Sequence, residues 1–282
     1  MTPQRRNRDA HPDEGPRHVL SLGRRERASG SLICDELRAS PEVKALLTRP
    51  HGSSSNTDER RTGHTGRAGE GSLIYDMTPP ITGALAVWPG DTPPSREVLC
   101  DLKRGDSVTL STLRATVHLG AHADAPSHYG PEAPAIDARS LEYYLGVCRV
   151  MHVSIGRGAR ITPDDLAGPI EAPRVLFATG TFPDPTSFNE DFAALSPQLV
   201  DLLHEEGVIL VGIDTPSVDL FSSKDLPAHQ RFLHHDMAIL EGLVLSGVPD
   251  GLYELIALPL KLVGFDASPV RAILRTIDHR GG

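Results

Sequence analysis

From residue 73 onward, the chain alternates short apolar runs with Gly and Pro, a pattern typical of short strands joined by turns. Residues 108–117 alternate apolar and polar positions and are rich in β-branched side chains, so they predict a strand. Residues 73–76, 98–102, 147–153 and 175–178 also predict strands. The sequence after residue 72 therefore indicates a fold with many short strands.

Helical signals interrupt the strands in the second half of the chain. The clearest helix spans 196–206, where Ser196 is a suitable N-cap, Pro197 suits the first helical position and Gly207 ends the segment. The continuously apolar run 208–213 follows at once and predicts a buried strand. A helix followed directly by a buried strand favours the α/β class.

The same alternation continues toward the C-terminus. Residues 226–235 predict a second helix, and residues 237–244 predict the strand that follows it. We expect the apolar run 252–262 to close the sheet. The predicted domain covers residues 72–282.

Residues 1–71 have a different character. They are rich in Arg, Ser and Gly, and they lack the apolar periodicity that a packed core requires. They are interpreted either as a mostly disordered N-terminal extension or as the result of a start codon placed too far upstream. The sequence alone leaves both interpretations open.

Charge and composition exclude several functional classes. Residues 1–71 carry 13 Lys and Arg against 10 Asp and Glu, whereas residues 72–282 carry 15 against 27. An acidic body argues against nucleic acid as the main partner. No stretch approaches the roughly 18 apolar residues that a membrane-spanning helix needs. The three cysteines are too few and too scattered for a disulfide framework, so a cytoplasmic location is expected.

The segment HLGAHADAPSH, residues 118–128, concentrates possible metal ligands. It contains His118, His122 and His128 around Asp124. Its Gly and Pro disfavour a helix, so we expect a loop in which His118, His122 and Asp124 converge. Imidazole and carboxylate groups suit Zn²⁺ or Mn²⁺. The segment therefore predicts a metal site, and a polar turn is the alternative.

Other polar residues have simpler interpretations. Glu254 is predicted to be a structural carboxylate, and Asp214 and Asp219 are predicted to shape a turn. Ser217 lacks the Gly-x-Ser-x-Gly context of a serine hydrolase. No role is expected for the histidines at the end of the second predicted helix.

Six segments carry a family resemblance: VWPGDTP (87–93), HLGAHADAPSHY (118–129), GIDTPSVD (212–219), LPAHQRFL (226–233), ILEGL (239–243) and YELIALPLKLVGFDASPVRAILR (253–275). Together they resemble the bacterial kynurenine formamidases within the cyclase-like metal-dependent hydrolases. The resemblance covers residues 73–274. The histidine-rich segment marks the whole superfamily, whereas WPGD and the last segment are more typical of the formamidase branch.

The resemblance implies a compact swivelling β/β/α domain, the cyclase-like fold, that forms a homodimer. It also implies that His118, His122 and Asp124 bind a metal ion. Asp124 would bridge to a second ion, which His229 and Glu241 would also bind. The expected cofactors are two divalent ions per chain, with Zn²⁺ favoured and Mn²⁺ as the alternative.

The resemblance also implies an activity, the hydrolysis of N-formyl-L-kynurenine to L-kynurenine and formate in tryptophan degradation. His128 matches the general acid/base of the family, and Trp88 matches an aromatic residue that contacts the substrate. Ordinary packing is the alternative role for Trp88. The chain departs from the family at Leu119 and at residues 177–179, where many relatives have an Arg-Thr pair. The second difference is expected to alter substrate contacts.

Two further functions stay open at this point. One is another amidase of the same family, such as a hydrolase that opens the ring of isatin with the same metals. The other is a binding protein with a structural metal site and an Arg-rich N-terminal tail that recruits an acidic partner.

Overall fold

The structure is a computed structural model that describes residues 73–277. The predicted extension, residues 1–71, lies outside the described residues. None of the helices in the described range is long and apolar enough to cross a membrane.

Short strands and two α-helices form the regular structure of residues 73–277. The strands are β1 (Ile74–Asp76), β2 (Ser95–Cys100), β3 (Leu110–Arg114), β4 (His122–Asp124), β5 (Leu145–His152), β6 (Arg160–Ile161), β7 (Arg174–Ala178), β8 (Ala194–Leu195), β9 (Leu210–Ile213), β10 (Ala238–Glu241), β11 (Gly251–Ile256), β12 (Ala267–Pro269) and β13 (Ile273–Thr276). The helices are α1 (Pro197–Glu205) and α2 (Pro227–His235).

Nine strands form one mixed sheet in the order β1-β13-β11-β5-β7-β9-β10-β4-β12. The central strands β5, β7, β9 and β10 are parallel to one another. The outer strands on both sides pair antiparallel. Strands β2 and β3 form a separate two-stranded sheet, as do β6 and β8. The mixed sheet and its helices confirm the predicted α/β class.

The central strands are apolar on both faces. In β7, Leu176 belongs to one buried cluster while its neighbours Val175 and Phe177 belong to another. In β10, Leu240 and Ile239 divide in the same way. Alternate side chains of a strand point to opposite faces, so a strand with two buried faces has a continuously hydrophobic sequence. Both helices contribute to the second cluster.

The local signals placed α1 correctly. Ser196 precedes the helix, and its Oγ accepts a hydrogen bond from the Leu199 N–H at 3.1 Å. Helix α2 also lies where it was predicted. Its preceding residue, Leu226, has a left-handed φ of 44°, a conformation that non-glycine residues adopt at some cost. The start of α2 is therefore held in place by its surroundings.

Two predictions of local structure were wrong. Residues 118–128 were expected to form a loop, but His122–Asp124 form β4, which pairs with β10 on one side and β12 on the other. The run 252–262 was expected to close the sheet, but β11 lies inside it between β5 and β13. In both cases the neighbouring strands decide the outcome, and local sequence does not reveal them.

The chain divides into two units, one of which has Leu99–Leu110 as its described part. Within that segment, the Asp101 carboxylate caps a short 3₁₀ turn by accepting a hydrogen bond from the Lys103 N–H at 2.9 Å. Cys100 is disulfide-bonded, whereas Cys148, in the other unit, is free and buried. The three cysteines were predicted not to form a disulfide framework, and a bond at Cys100 does not by itself constitute one.

Candidate metal centre and substrate cavity

Strand pairing brings three of the predicted metal ligands together. In the antiparallel pair of β4 and β10, Glu241 lies opposite His122, and Ile239 lies opposite Asp124. His122 and Asp124 are two residues apart on β4, so they point to the same face of the sheet. The distance from His122 Nε2 to Glu241 Oε2 is 3.4 Å. All three side chains are buried.

A first possible cation position lies between His118, His122 and Asp124. Asp124 Oδ1 is 3.0 Å from His118 Nδ1 and 3.4 Å from His122 Nε2. One ligand atom from each of the three residues lies within 4.8 Å of the others. This group therefore matches the first predicted ligand set.

A second possible position shares Asp124. His229 Nε2, from α2, is 3.5 Å from Asp124 Oδ2 and 3.6 Å from Glu241 Oε1. These three residues also offer one ligand atom each within 4.8 Å. The two oxygens of Asp124 thus face two different groups, as a bridging carboxylate would.

Hydrogen bonding shows that these residues fit a divalent cation. His122 Nε2, Asp124 Oδ1 and Asp124 Oδ2 are buried and make no hydrogen bond among the described residues. A buried polar atom without a partner costs roughly 1–3 kcal/mol. Imidazole nitrogen and carboxylate oxygen are common ligands of Zn²⁺ and Mn²⁺. A cation at the first position would satisfy His122 Nε2 and Asp124 Oδ1, and a cation at the second would satisfy Asp124 Oδ2.

The electrostatics of the cluster are those of closely packed opposite charges. Burial opposes protonation of His122, but the adjacent carboxylates of Asp124 and Glu241 raise the pKa of His122 to about 10. Burial likewise opposes ionisation of Asp124, but three neighbouring histidines hold the pKa of Asp124 well below its usual value. Without a cation, the carboxylates therefore remain ionised and hold protons on the histidines. A bound cation would take the place of those protons.

A second layer of contacts orients the histidine rings. His122 Nδ1 lies 2.8 Å from the carbonyl oxygen of Gly120, which leaves Nε2 facing the cluster. His229 Nδ1 lies 2.9 Å from Asp219 Oδ2, and Arg160 Nη1 donates to the other Asp219 oxygen at 2.8 Å. Such outer contacts fix the tautomer of a ligand and strengthen its binding. Asp219, predicted only to shape a turn, thus also orients a predicted ligand.

Asp266 is a site residue that the sequence reasoning missed. Its Oδ2 lies 3.0 Å from His118 Nε2 and 3.6 Å from His128 Nδ1. The residue immediately precedes β12, and its carbonyl oxygen accepts a hydrogen bond from the Ala125 N–H at 2.9 Å. Pairing of β12 with β4 therefore carries Asp266 to the site. Its separation from the histidine-rich segment left no local signal.

His128 lies beside the possible cation positions. It ends a 3₁₀ turn after β4, its side chain is 36% exposed, and its ring centroid is 4.3 Å from that of His118. It belongs to neither group around Asp124, although His118, His128 and Asp266 form a third cluster that could hold an ion. Its exposure and position suit a side chain that meets a substrate.

A cavity of about 520 Å³ opens onto this cluster, and its lining includes His118, His122, His128, His229 and Glu241. Trp88 also lines the cavity, with its ring centroid 5.0 Å from Phe221 and 5.6 Å from Phe188. Four of the five predicted metal ligands therefore border the same space as Trp88. The phenylalanines were not predicted, because isolated aromatic residues in a sequence resemble ordinary core residues.

The remaining polar residues behave mainly as structural groups. Asp214 accepts hydrogen bonds from the N–H groups of Thr179 and Gly180, which fits the predicted turn-shaping role. Glu254 forms an ion pair with Arg275 on the neighbouring strand, as expected for a structural carboxylate.

Fold and site together define a class of metal-dependent hydrolases. Residues 75–220 match the family described as "Putative cyclase". The match covers just over half of the 282-residue chain. The chain belongs to this family and has the cyclase-like fold of its metal-dependent hydrolases.

Solved structures give the same result. A structure described as a "Potential Metal-Dependent Hydrolase With Cyclase Activity" is 28% identical, with a TM-score of 0.64 over 73% of this chain and 99% of its own. A "predicted metal-dependent hydrolase from Bacillus stearothermophilus" is 29% identical, with a TM-score of 0.62 over 72% and 98%. Isatin hydrolase A from Labrenzia aggregata, bound to benzyl benzoate, shares the fold at 24% identity and a TM-score of 0.64 over 73% and 94%.

Proposed function

We propose that this protein hydrolyses an amide bond attached to an aromatic ring, with two divalent ions held around Asp124. The observation that carries the proposal is that Asp124 belongs to two possible ion sites, one with His118 and His122 and the other with His229 and Glu241. These four partners of Asp124 line the same cavity as Trp88. His118 and His122 would hold one ion, and His229 and Glu241 the other. Zn²⁺ is the favoured ion and Mn²⁺ the alternative.

Bound divalent ions supply Lewis acidity, which makes water a stronger nucleophile near neutral pH and polarises an amide carbonyl. The residues of the chain supply the rest. Trp88 holds the aromatic ring of the substrate within the cavity. His128 Nε2, the ring nitrogen that does not face Asp266, donates a proton to the departing amide nitrogen. An aniline nitrogen needs that proton because its anion is a poor leaving group.

Within this class, the sequence motifs support N-formyl-L-kynurenine as the substrate, with L-kynurenine and formate as products. A cyclic aryl amide of the isatin type is the second candidate. It is favoured by one observation, since none of the described residues that line the cavity is a lysine or arginine able to pair with the carboxylate of kynurenine. Assay of the metal-loaded protein with both substrates in parallel separates the two candidates.

Two variants test the proposed roles. His122→Ala removes a ligand and should lose metal and activity together. His128→Ala should keep two ions per chain but lose the general-acid contribution, typically about 10²- to 10⁴-fold in kcat. On an ester with a good leaving group, which needs little protonation, His128→Ala should recover much of its rate.

Metal analysis and rates on both substrates provide the measurement. If His128→Ala also loses an ion, His128 is a ligand and the mechanism is misassigned. A protein that binds metal but hydrolyses neither substrate would support the alternative of a binding protein with a structural metal site.

A further inference from the structure

Apart from its histidines and the proposed ions, the cavity is lined by charged residues of one sign, within the part of the chain that the structure describes. Asp91, Asp214 and Glu241 line it, and among the lining residues that the structure describes there is no lysine or arginine. Glu241 lies among the proposed metal ligands, and Asp214 is occupied by hydrogen bonds from Thr179 and Gly180. Asp91 is the exposed member of the three, and the one hydrogen bond recorded for its carboxylate comes from the Thr92 N–H to Oδ1 at 2.6 Å. It is therefore the carboxylate best placed to meet a charged group on a substrate.

Nearby basic side chains are engaged elsewhere. Arg160 reaches the metal cluster only through Asp219, and its Nη1 also donates to the Leu195 carbonyl oxygen at 2.6 Å. His152 lines the cavity, but its Nδ1 is paired with Asp250. Neither side chain offers an unpaired cation to a substrate carboxylate.

The position of Asp91 suits an ammonium group. Asp91 lies in the same turn as Trp88, since its N–H donates to the Trp88 carbonyl oxygen at 2.9 Å. The Trp88 and Phe188 rings, with centroids 5.6 Å apart, border the same cavity. A cation near an aromatic face gains roughly 0.5–1 kcal/mol at exposed sites, and an adjacent carboxylate adds an ion pair. Asp91 would repel a substrate carboxylate, and the aromatic face would not attract it.

We propose that the substrate is an aryl amide whose side chain carries an ammonium group, that Asp91 selects it, and that a substrate carboxylate is not recognised. This inference rests on the proposed function, which places the aromatic ring and the amide in the cavity. For N-formyl-L-kynurenine, the ammonium group faces Asp91 and the carboxylate is dispensable.

Three formamides with the same ring test the inference. They are N-formyl-L-kynurenine, its decarboxylated analogue N-formylkynuramine, and its deaminated analogue, which keeps only the carboxylate. The amine-only compound should match or exceed the parent in kcat/KM. It should exceed the carboxylate-only compound by about five- to tenfold, as expected for one exposed ion pair with a cation–π contact.

Matched variants assign the selection to one residue. Asp91→Asn should remove most of the preference for the amine, and Asp91→Lys should reverse it. Asp164→Asn removes an exposed carboxylate that does not line the cavity, so it should leave the preference unchanged. Thermal unfolding of each variant verifies that it is folded.

A binding measurement separates this inference from the proposed function. Trp88 is the only tryptophan of the chain, so quenching of its fluorescence reports binding in the cavity without turnover. Kynuramine and deaminated kynurenine are the probes, and kynuramine should bind more tightly. Equal kcat/KM for the three formamides, or a preference for the carboxylate, would overturn the inference and leave the proposed function standing. If neither the formamides nor isatin is hydrolysed, the proposed function fails, and the fluorescence titrations still decide whether the cavity selects ammonium.

Discussion

At the residue scale, a single oxygen of Asp266 links a proposed ligand to the proposed acid. Its Oδ2 faces His118 Nε2 at 3.0 Å and His128 Nδ1 at 3.6 Å. His118 Nε2 therefore carries the proton that Asp266 accepts, which leaves Nδ1 facing Asp124. Burial raises the pKa of Asp266, but the hydrogen bond from His118 outweighs it and holds the pKa below its usual value. An ionised Asp266 thus fixes the orientation of the His118 ring.

We expect Asp266→Ala to weaken metal binding by about 10- to 100-fold, the usual effect of removing an outer contact to a ligand histidine. Asp266→Asn should fall between the wild type and Ala, because an amide oxygen accepts the same hydrogen bond without the charge. Competition with a chelator measures the affinity. Asp76→Ala is the control, since Asp76 is comparably exposed but pairs with Arg271. Unchanged affinity in Asp266→Ala would show that the contact has no orienting role.

The sequence indicated the proposed metal ligands more clearly than the residues that orient them. His118, His122 and Asp124 stand close together in the chain, so their density was visible. His229 and Glu241 were accessible only through a family resemblance. The orienting carboxylates Asp219 and Asp266 act across the fold, and a hydrogen bond between distant segments leaves no local pattern. These contacts could therefore be recognised only in three dimensions.

At the element scale, local sequence signals predicted an element correctly where the residues that begin and end it can be recognised in the sequence. Helix α1 has its N-cap and its terminating Gly207 in sequence, and it was predicted almost to the residue. Strand β4 has only three residues and exists because β10 and β12 pair with it. The sequence pattern alone therefore predicted a loop there. The same pairing is what aligns Glu241 with His122.

The approach of β10 to the histidine-rich segment depends on Gly242. Gly242 has a φ of +65°, and a Cβ at this position would lie 2.2 Å from the carbonyl oxygen of Gly120. Gly120 in turn accepts the hydrogen bond from His122 Nδ1. A side chain at position 242 would thus push apart two segments that carry proposed ligands.

Gly242→Ala is expected to destabilise the protein and to weaken metal binding. Gly158→Ala is a matched control, because Gly158 has a similar φ of +71° but no atom within 4 Å of its added Cβ. The backbone strain alone should cost about 1 kcal/mol in the control. The steric overlap should add roughly 1–3 kcal/mol at Gly242. Denaturant unfolding of both variants gives the difference, and equal losses would mean that the close approach is not required.

At the scale of the whole molecule, the proposed ions would tie together distant parts of the chain. The proposed ligands come from β4, its preceding segment, α2 and β10, so a bound ion stabilises the folded state relative to the unfolded one. In the ion-free protein, protons on the histidines lie where the ions would bind. The two carboxylates are therefore held near positive charge both with ions bound and without them.

The competition between ions and protons predicts a pH dependence. Asp124 and Glu241 raise the pKa of His122 to about 10 against the opposing effect of burial, so His122 is protonated at neutral pH when no ion is bound. The raised pKa stabilises the ion-free fold fully below the usual value of about 6.5, and this contribution is lost as the pH rises toward 10. Ion binding must displace the proton, so affinity rises over the same range.

The difference in melting temperature between the loaded and ion-free protein should therefore widen between about pH 6.5 and 9. Calorimetric titration with Zn²⁺ in two buffers of different ionisation enthalpy should show proton release by the wild type. Binding without proton release at pH 7 would mean that the histidines are already neutral in the ion-free protein.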